Sequence, residues 1–290
     1  MNNYYFKFQI GNEGFKTWLK IGDGKFCPLS IYFGKWKAGE VSTGINQQKS
    51  SQAKEQIKTF YNLEREDDVY FWIFCEEKIY CLKKAEQKVE DGPNQYIYPG
   101  DGDPPKSINS KLIASYKKID LPEFFSNINA NQKYNRGTIK KLNNAENEFA
   151  NALINNEKIK IDLNNFYKYL SPTEFETLIF LIFSENNCLC SSFRGGTLKD
   201  YDLRVKLSDD YFGLPKKTFW AQIKLKNNEK SNIDGYLIST QEKSNISEKI
   251  IGIDWIRDRV ESSNNIQKWL RDMIFDYKNI CVNFNIPTRI

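Results

Sequence analysis

Residues Ser171 to Lys226 read SPTEFETLIFLIFSENNCLCSSFRGGTLKDYDLRVKLSDDYFGLPKKTFWAQIKLK, and this stretch decides the fold of the C-terminal half. It opens with the signals of a helix start, because Ser171 is a good N-cap, Pro172 fits the first helical position and Glu174 completes a capping box. The residues that follow, up to Phe183, are apolar on nearly every side of a helix, which indicates deep burial. The pattern therefore predicts a buried helix.

Two strand patterns follow this helix. A glycine turn precedes the first strand, which carries two aspartates, and the second strand ends in Gln-x-Lys; the residues are Gly195, Gly196, Asp200, Asp202, Gln222 and Lys224. Side chains two residues apart point to the same face of a strand, so Gln222 and Lys224 are expected to project together. If the two strands are neighbours in one sheet, they can bring an acid and a lysine together at one edge of that sheet.

Helix and strand patterns alternate through the rest of this half. An amphipathic helix is predicted at 142–154, a third buried strand at 235–240, and a helical segment at 254–277 that is broken near residue 263. This alternation predicts an α/β domain over residues 141–290.

The first half of the chain has a different composition. Residues 1–140 are rich in aromatic strand patterns. A hairpin is predicted between 69 and 82, where two apolar runs flank a short charged turn. We predict a β-rich α+β domain here. The length of 290 residues also favours two domains, with a boundary near residue 140.

Histidine is absent from the sequence. Its absence excludes Ser-His-Asp and Cys-His catalysis, histidine general bases and zinc sites of the HEXXH type. Chemistry must therefore come from carboxylates, lysines, tyrosines or a hard metal ion. A net charge of +5, from 42 basic and 37 acidic residues, mildly favours a polyanionic partner.

The composition also bears on the compartment. Six scattered cysteines are expected to remain thiols in a reducing environment. The sequence has no apolar run near the ~20 residues that span a bilayer, and its first residues do not form a signal-peptide pattern. We therefore expect a cytoplasmic protein without membrane association.

The acid, the glutamine and the lysine together suggest phosphodiester hydrolysis. One or two Mg²⁺ ions held by carboxylates supply charge neutralisation and an activated water without histidine. Asp202 is the best candidate ligand, and the side-chain carbonyl of Gln222 can touch the metal or its waters. Lys224 can orient the attacking water and offset negative charge. Glu176, one turn into the predicted buried helix, needs a partner and is a supporting candidate.

The order of these features resembles the PD-(D/E)XK nuclease superfamily, and most closely its Mrr-like branch of restriction endonucleases. The matching residues are Phe175, Glu176, Gly195, Gly196, Asp202, Gln222 and Lys224. The resemblance covers residues 141–290. It implies a restriction-endonuclease-like fold, a four-stranded mixed sheet flanked by helices, together with a requirement for Mg²⁺, for which Mn²⁺ substitutes, and cleavage of DNA.

One departure from this family pattern concerns the principal acid. Mrr-like proteins usually have Asp-Gly-Gly or a similar tripeptide before the catalytic aspartate, whereas this chain has Lys199, Asp200 and Tyr201. The choice between Asp200 and Asp202 as principal metal ligand therefore stays open.

The N-terminal half is the candidate for target recognition. The hairpin from Asp67 to Leu82 resembles PUA-superfamily domains of the EVE and ASCH type, some of which read modified bases. Aromatic side chains on a β scaffold can stack on a flipped base, and interleaved lysines can bind phosphates. The residues predicted to bind nucleic acid are Trp18 and Trp36 in this half, with Lys199 and Lys226 beside the candidate site.

These observations lead to one main hypothesis and two alternatives. The chain is predicted to be a Mg²⁺-dependent DNA endonuclease of a restriction or anti-phage system, and a homodimer because cutting both strands of double-stranded DNA needs two sites. One alternative is a defence nuclease activated by a small ligand held in the N-terminal domain. The other is a nucleic-acid-binding protein whose nuclease fold is inactive.

Overall fold

The computed structural model describes residues 1–7, 26–31, 36–86, 88–91, 106–130, 138–185, 188–192, 201–207, 214, 218–225, 235–245 and 248–284 of the chain. Contacts divide the chain into two compact units, Met1–Glu157 and Lys158–Ile290. Both units combine helices with a mixed sheet, so the mixed α/β composition that we predicted is confirmed. Within these residues, no helix has the length and apolar content needed to cross a membrane.

The first unit is built on one large sheet. Its strands are β1 (Asn2–Phe6), β2 (Phe26–Ile31), β3 (Val69–Cys75), β4 (Lys78–Lys84), β5 (Glu90–Asp91), β6 (Lys106–Lys117) and β7 (Ile139–Lys141). They are ordered β2-β6-β4-β3-β1-β7, with β5 paired to β6. Strands β1 and β3 are parallel and the other described pairs are antiparallel. The predicted hairpin is confirmed as the pair β3 and β4.

Four α-helices accompany this sheet in the described residues. They are α1 (Val41–Gln47), α2 (Ser51–Asn62), α3 (Glu123–Ser126) and α4 (Asn144–Asn155), with short 3-10 helices at Leu63–Arg65, Lys118–Asp120 and Ile128–Ala130. Helix α2 begins where the Ser50 hydroxyl accepts a hydrogen bond from the backbone of Ala53. Its apolar side, including Ile57 and Phe60, is fully buried, which fixes the helix on the core of this unit.

Helix α4 is tied to the sheet of the first unit by a polar network centred on the buried Asn3 side chain. The Asn3 Nδ2 donates to Asn147 Oδ1 at 2.9 Å and to Asn151 Oδ1 at 2.7 Å, while the Trp72 indole donates to Asn3 Oδ1 at 2.9 Å. Because a buried amide without partners is costly, these bonds fix α4 on β1 and β3. The sequence predicts this helix as the first element of the second domain, and the domain limits 1–140 and 141–290 stay predictions.

The second unit contains a five-stranded mixed sheet and a separate strand pair. Its strands are β8 (Ile159–Ile161), β9 (Leu189–Ser192), β10 (Leu203–Lys206), β11 (Thr218–Lys224), β12 (Tyr236–Ser239), β13 (Ile250–Ile251) and β14 (Ile280–Val282). The sheet is ordered β13-β12-β11-β10-β9, and β14 pairs with β8. Strands β9, β10 and β11 are antiparallel, whereas β12 and β13 run parallel to β11.

The helices of the second unit lie within a few residues of the predicted segments. They are α5 (Pro172–Glu185), α6 (Ile253–Ser262) and α7 (Asn264–Trp269), with a 3-10 helix at Phe166–Tyr169 and a π-helix at Leu270–Ile274. The predicted capping box is confirmed, since the Ser171 N–H donates to Glu174 Oε2 at 2.6 Å and the Glu174 N–H donates to Ser171 Oγ at 3.2 Å. The predicted break near residue 263 is also confirmed, because the Ser263 hydroxyl caps α7.

Helix α5 covers the apolar face of the sheet. The Phe183 ring lies 5.9 Å from that of Phe219 on β11 and 5.7 Å from that of Trp255 on α6. Along β11, Phe219, Ala221 and Ile223 are buried, and the intervening side chains are half-buried or exposed. The strand therefore has one face in the core and one outside it, as period-two alternation requires.

An aspartate in the first turn of α6 organises the loop between β12 and β13. The Asp254 carboxylate accepts hydrogen bonds from the N–H and the hydroxyl of Ser244 and from the Trp255 N–H. Although burial raises its pKa, these bonds and the charge of Arg257 outweigh that effect, and the pKa of Asp254 is lowered. Because the folded pKa lies below the unfolded one, the carboxylate stabilises the fold above its unfolded pKa of about 3.9. That contribution is lost as the pH falls through the folded pKa.

We expect Asp254→Asn to lower the free energy of unfolding at neutral pH by about 1–2 kcal/mol, which is modest for bonds to a charged group because the site is partly exposed. The variant should also lose less stability than the parent chain between neutral pH and about pH 3. Urea unfolding across this range measures both effects. Asp258→Asn, on the exposed side of α6, is the matched control. Equal acid sensitivity of the parent and Asp254→Asn would contradict this assignment.

Candidate active site

The Asp202 side chain is attached to the backbone of β11. The backbone N–H of Asp202 donates to the Ala221 carbonyl at 2.9 Å, and the Oδ2 of its side-chain carboxylate accepts a hydrogen bond from the Ile223 N–H at 2.7 Å. The regular pairing of β10 and β11 ends at Leu203 opposite Ala221. The Asp202 carboxylate thus accepts the Ile223 N–H hydrogen bond just beyond the last regular β10–β11 pair. This bond fixes one carboxylate oxygen on β11, the strand that carries the Gln-x-Lys pattern.

Gln222 and Lys224 flank this attachment point. The Ile223 side chain is buried, whereas Gln222 is half-buried and Lys224 is exposed. Because alternate residues of a strand face opposite sides, Gln222 and Lys224 share the face of the sheet that lies away from α5. The structure therefore brings the three residues Asp202, Gln222 and Lys224 to one place, on two adjacent strands.

The donor set at this place suits a hard cation. With Oδ2 of Asp202 bound to the backbone, its Oδ1 accepts no hydrogen bond from any described residue. A carboxylate oxygen and the amide carbonyl of Gln222 are ligands that Mg²⁺ accepts, and Mg²⁺ commonly uses only one or two carboxylates while keeping several waters. Among the described residues there is no group of three or more Cys, Asp or Glu side chains that could hold a metal. The second candidate acid, Asp200, lies outside the described residues.

Glu176 is half-buried on α5. The buried acid of this helix is instead Glu174, whose carboxylate closes the capping box with Ser171. Helix α5 packs on the apolar face of the sheet through Phe183, and Asp202 is bound at the backbone of β11. The supporting role of Glu176 at a metal site stays a prediction.

Trp36 is the only residue of the predicted nucleic-acid-binding set that lies in the described part of the chain. It is 2% exposed and belongs to the core of the first unit, with its ring 5.8 Å from that of Tyr61. The Lys106 Nζ lies 4.9 Å from its ring centroid, and a Cβ placed on Gly44 would come within 2.4 Å of the indole. A stacked base would require this indole to become accessible. Trp18, Lys199 and Lys226 lie outside the described residues, as do Gly195 and Gly196.

A second group of side chains on the same sheet was not predicted from the sequence. Arg204 and Lys206 alternate with buried Leu203 and Val205 along β10, so they lie on the outer face. The Arg204 guanidinium carbon lies 5.4 Å from the ring centroid of Trp220 on β11. The signal that could have found them is the strict alternation of Leu-Arg-Val-Lys directly after Asp202.

No protein-family model, curated protein or solved structure matches this chain. The resemblances to PD-(D/E)XK nucleases and to PUA-like domains therefore rest on the sequence motifs. The geometry around Asp202 comes from the structure and is independent of those resemblances.

Proposed function

We propose that the chain is a Mg²⁺-dependent DNA endonuclease of a restriction or anti-phage system, with its site at Asp202, Gln222 and Lys224. The observation that carries this proposal is the 2.7 Å hydrogen bond from the Ile223 N–H to Asp202 Oδ2. It holds a carboxylate at the backbone between a glutamine and an exposed lysine, and these residue types can support metal-assisted phosphodiester hydrolysis in a chain without histidine.

The topology of the second unit supports the same proposal. Helix α5 precedes three antiparallel strands, β9 to β11, and β12 then runs parallel to β11. This is a mixed sheet with helices, and it has five strands where the resemblance to PD-(D/E)XK nucleases implies four. Asp202 lies directly before the middle strand of the meander, and Gln222 and Lys224 lie at the end of its last strand.

Each residue has a distinct task in the proposed reaction. Asp202 and Gln222 would hold Mg²⁺, which supplies charge neutralisation and Lewis acidity when bound. The exposed ammonium of Lys224 would orient the attacking water and offset charge on the phosphate oxygens as it develops. Water attacks phosphorus, the bond from phosphorus to the leaving sugar oxygen breaks, and the water proton passes to solvent while the leaving oxygen is protonated.

Target choice is assigned to the first unit in this proposal. A nuclease site that contacts the backbone carries little sequence information, so a separate element has to select the DNA. A modified base is the target class that the PUA-like hairpin resemblance suggests. Two copies of the chain would act together, since each copy carries a single site and double-stranded DNA has two strands to cut.

Incubation of supercoiled plasmid with the protein tests the activity. We expect nicked and linear products with Mg²⁺ or Mn²⁺ and none with EDTA, because the chain has no histidine to support metal-free hydrolysis. Plain, methylated and hydroxymethylated plasmids compared in parallel test the choice of target. Cleavage that persists in EDTA would contradict the metal requirement, and equal cleavage of all three DNAs would remove the modified-base reading. A folded protein that binds all three but cuts none would be the inactive nucleic-acid-binding alternative.

A further inference from the structure

The outer face of β9, β10 and β11 presents cations and hydroxyls beside the proposed site. Register places Arg204 opposite Ser191 on one side and Trp220 on the other, and it places Lys206 opposite Leu189 and Thr218. These side chains surround a depression of about 240 Å³, which is lined by Leu189, Cys190, Ser191, Arg204, Lys206 and Thr218. Leu189 is 70% exposed, so no described residue covers this end of the face.

The two cations of this face are available to an external anion. Among the described residues, neither Arg204 nor Lys206 forms an ion pair. The Arg204 guanidinium rests over Trp220, whose ring is in turn 5.2 Å from that of Tyr201. A ring below a guanidinium orients its plane without using its N–H donors, so those donors remain free for a phosphate oxygen.

The described lining of the depression carries no negative charge. Burial, with the neighbouring Cys188 adding to it, raises the pKa of the Cys190 thiol to about 11, although a hydrogen bond with Ser184 lowers it in part. The thiol is therefore neutral at physiological pH. The hydroxyls of Ser191 and Thr218 are able to donate to an anion. A charged guanidinium and ammonium beside neutral donors are complementary to phosphate and unsuited to a cation.

We infer that Arg204 and Lys206, with Ser191 and Thr218, form a phosphate-binding strip that holds the DNA backbone next to the scissile phosphate. This inference rests on the proposed function, because that function supplies the DNA strand that reaches Asp202. Asp202, Arg204 and Lys206 fall on one side of β10 at alternate positions, so the row is about 13 Å long. A row of that length can follow a short run of consecutive phosphates along one DNA strand. The strip therefore aligns a strand along β10 with the cut at its Asp202 end.

A salt series of duplex binding tests the strip without requiring cleavage. A short fluorescent duplex is titrated in EDTA, and its binding constant is followed by anisotropy at several salt concentrations. We expect Arg204→Gln/Lys206→Gln to weaken binding about tenfold or more. The slope of log K against log salt is negative, and its magnitude should decrease by about 2 in this variant. In Lys206→Gln alone, the magnitude should decrease by about 1. Lys160→Gln/Lys268→Gln removes two exposed charges elsewhere on the same unit and should leave the slope unchanged.

Three results would overturn the strip. They are the absence of duplex binding by the parent chain, a salt slope that is unchanged in Arg204→Gln/Lys206→Gln, and an equal loss of affinity and slope in the control Lys160→Gln/Lys268→Gln. The melting temperature of each variant confirms that it is folded, and both cations are exposed, so folding should be preserved. Failure of the proposed function has a different signature: the salt dependence weakens in the double variant as expected, but the parent chain never nicks plasmid with Mg²⁺. Failure of the strip alone leaves that nicking intact while the slope does not change.

Discussion

Asp202→Asn is expected to lower the single-turnover rate of DNA cleavage with Mg²⁺ by about 10³-fold or more. A metal acting as a Lewis acid contributes several kcal/mol to such a reaction, and each 1.36 kcal/mol corresponds to about a factor of ten. Asparagine keeps an oxygen that can accept the Ile223 N–H bond but loses the charge that holds the cation. The melting temperature should therefore change little while cleavage is lost. Quenched-flow or manual time courses with a labelled duplex in enzyme excess measure the rate.

Asp258→Asn is the matched control for this substitution, because Asp258 is an exposed acid on α6. It should cleave at the rate of the parent chain. Asp200→Asn, tested beside it, decides which of the two aspartates is the principal ligand. A variant Asp202→Asn that still cleaves at the parent rate, while Asp200→Asn does not, would move the assignment to Asp200 and contradict the role given to Asp202.

Lys224→Ala is expected to lower the same rate by about 10²–10³-fold, the effect of removing one preorganised group that stabilises transition-state charge. The side chain is exposed, and in the described part of the chain it makes no hydrogen bond or ion pair, so its loss should not disturb the fold. Duplex affinity should fall by no more than the loss of one phosphate contact. Single-turnover kinetics and anisotropy on the same duplex separate the two effects.

Lys268→Ala serves as the control for Lys224→Ala, because it removes an exposed lysine from α7 in the same unit. Its rate and affinity should match the parent chain. If Lys224→Ala instead weakened duplex binding strongly and left the rate of the bound complex unchanged, the lysine would be a binding residue and its assigned role in the reaction would be wrong.

Features that depend on a few neighbouring residues could be predicted from the sequence. The Ser171 and Glu174 capping box is confirmed because both bonds form within one turn. The β3 and β4 hairpin is confirmed for a similar reason, since two apolar strands beside a short charged turn have few other ways to pair. The placement of Gln222 and Lys224 on the outer face follows from period-two alternation in β11.

Features that depend on distant side chains could not be predicted in this way. The bond from the Ile223 N–H to Asp202 joins positions whose pairing is set by where the β10 and β11 ladder ends. The attachment of α4 to β1 depends on Asn3, whose side-chain Nδ2 donates to partners more than a hundred residues along the chain. Burial of Trp36 depends on the missing side chain of Gly44, which leaves room for the indole. Each is a tertiary contact with no periodic signature.

Plasmid cleavage by the parent chain and by Lys224→Ala, each with Mg²⁺ and with EDTA, tests the proposed site most directly. Nicked and linear DNA should form with the parent chain and Mg²⁺, only traces should form with Lys224→Ala and Mg²⁺, and none should form in either EDTA reaction. Equal nicking by the two proteins would contradict a phosphodiester-cleaving site built on Asp202, Gln222 and Lys224.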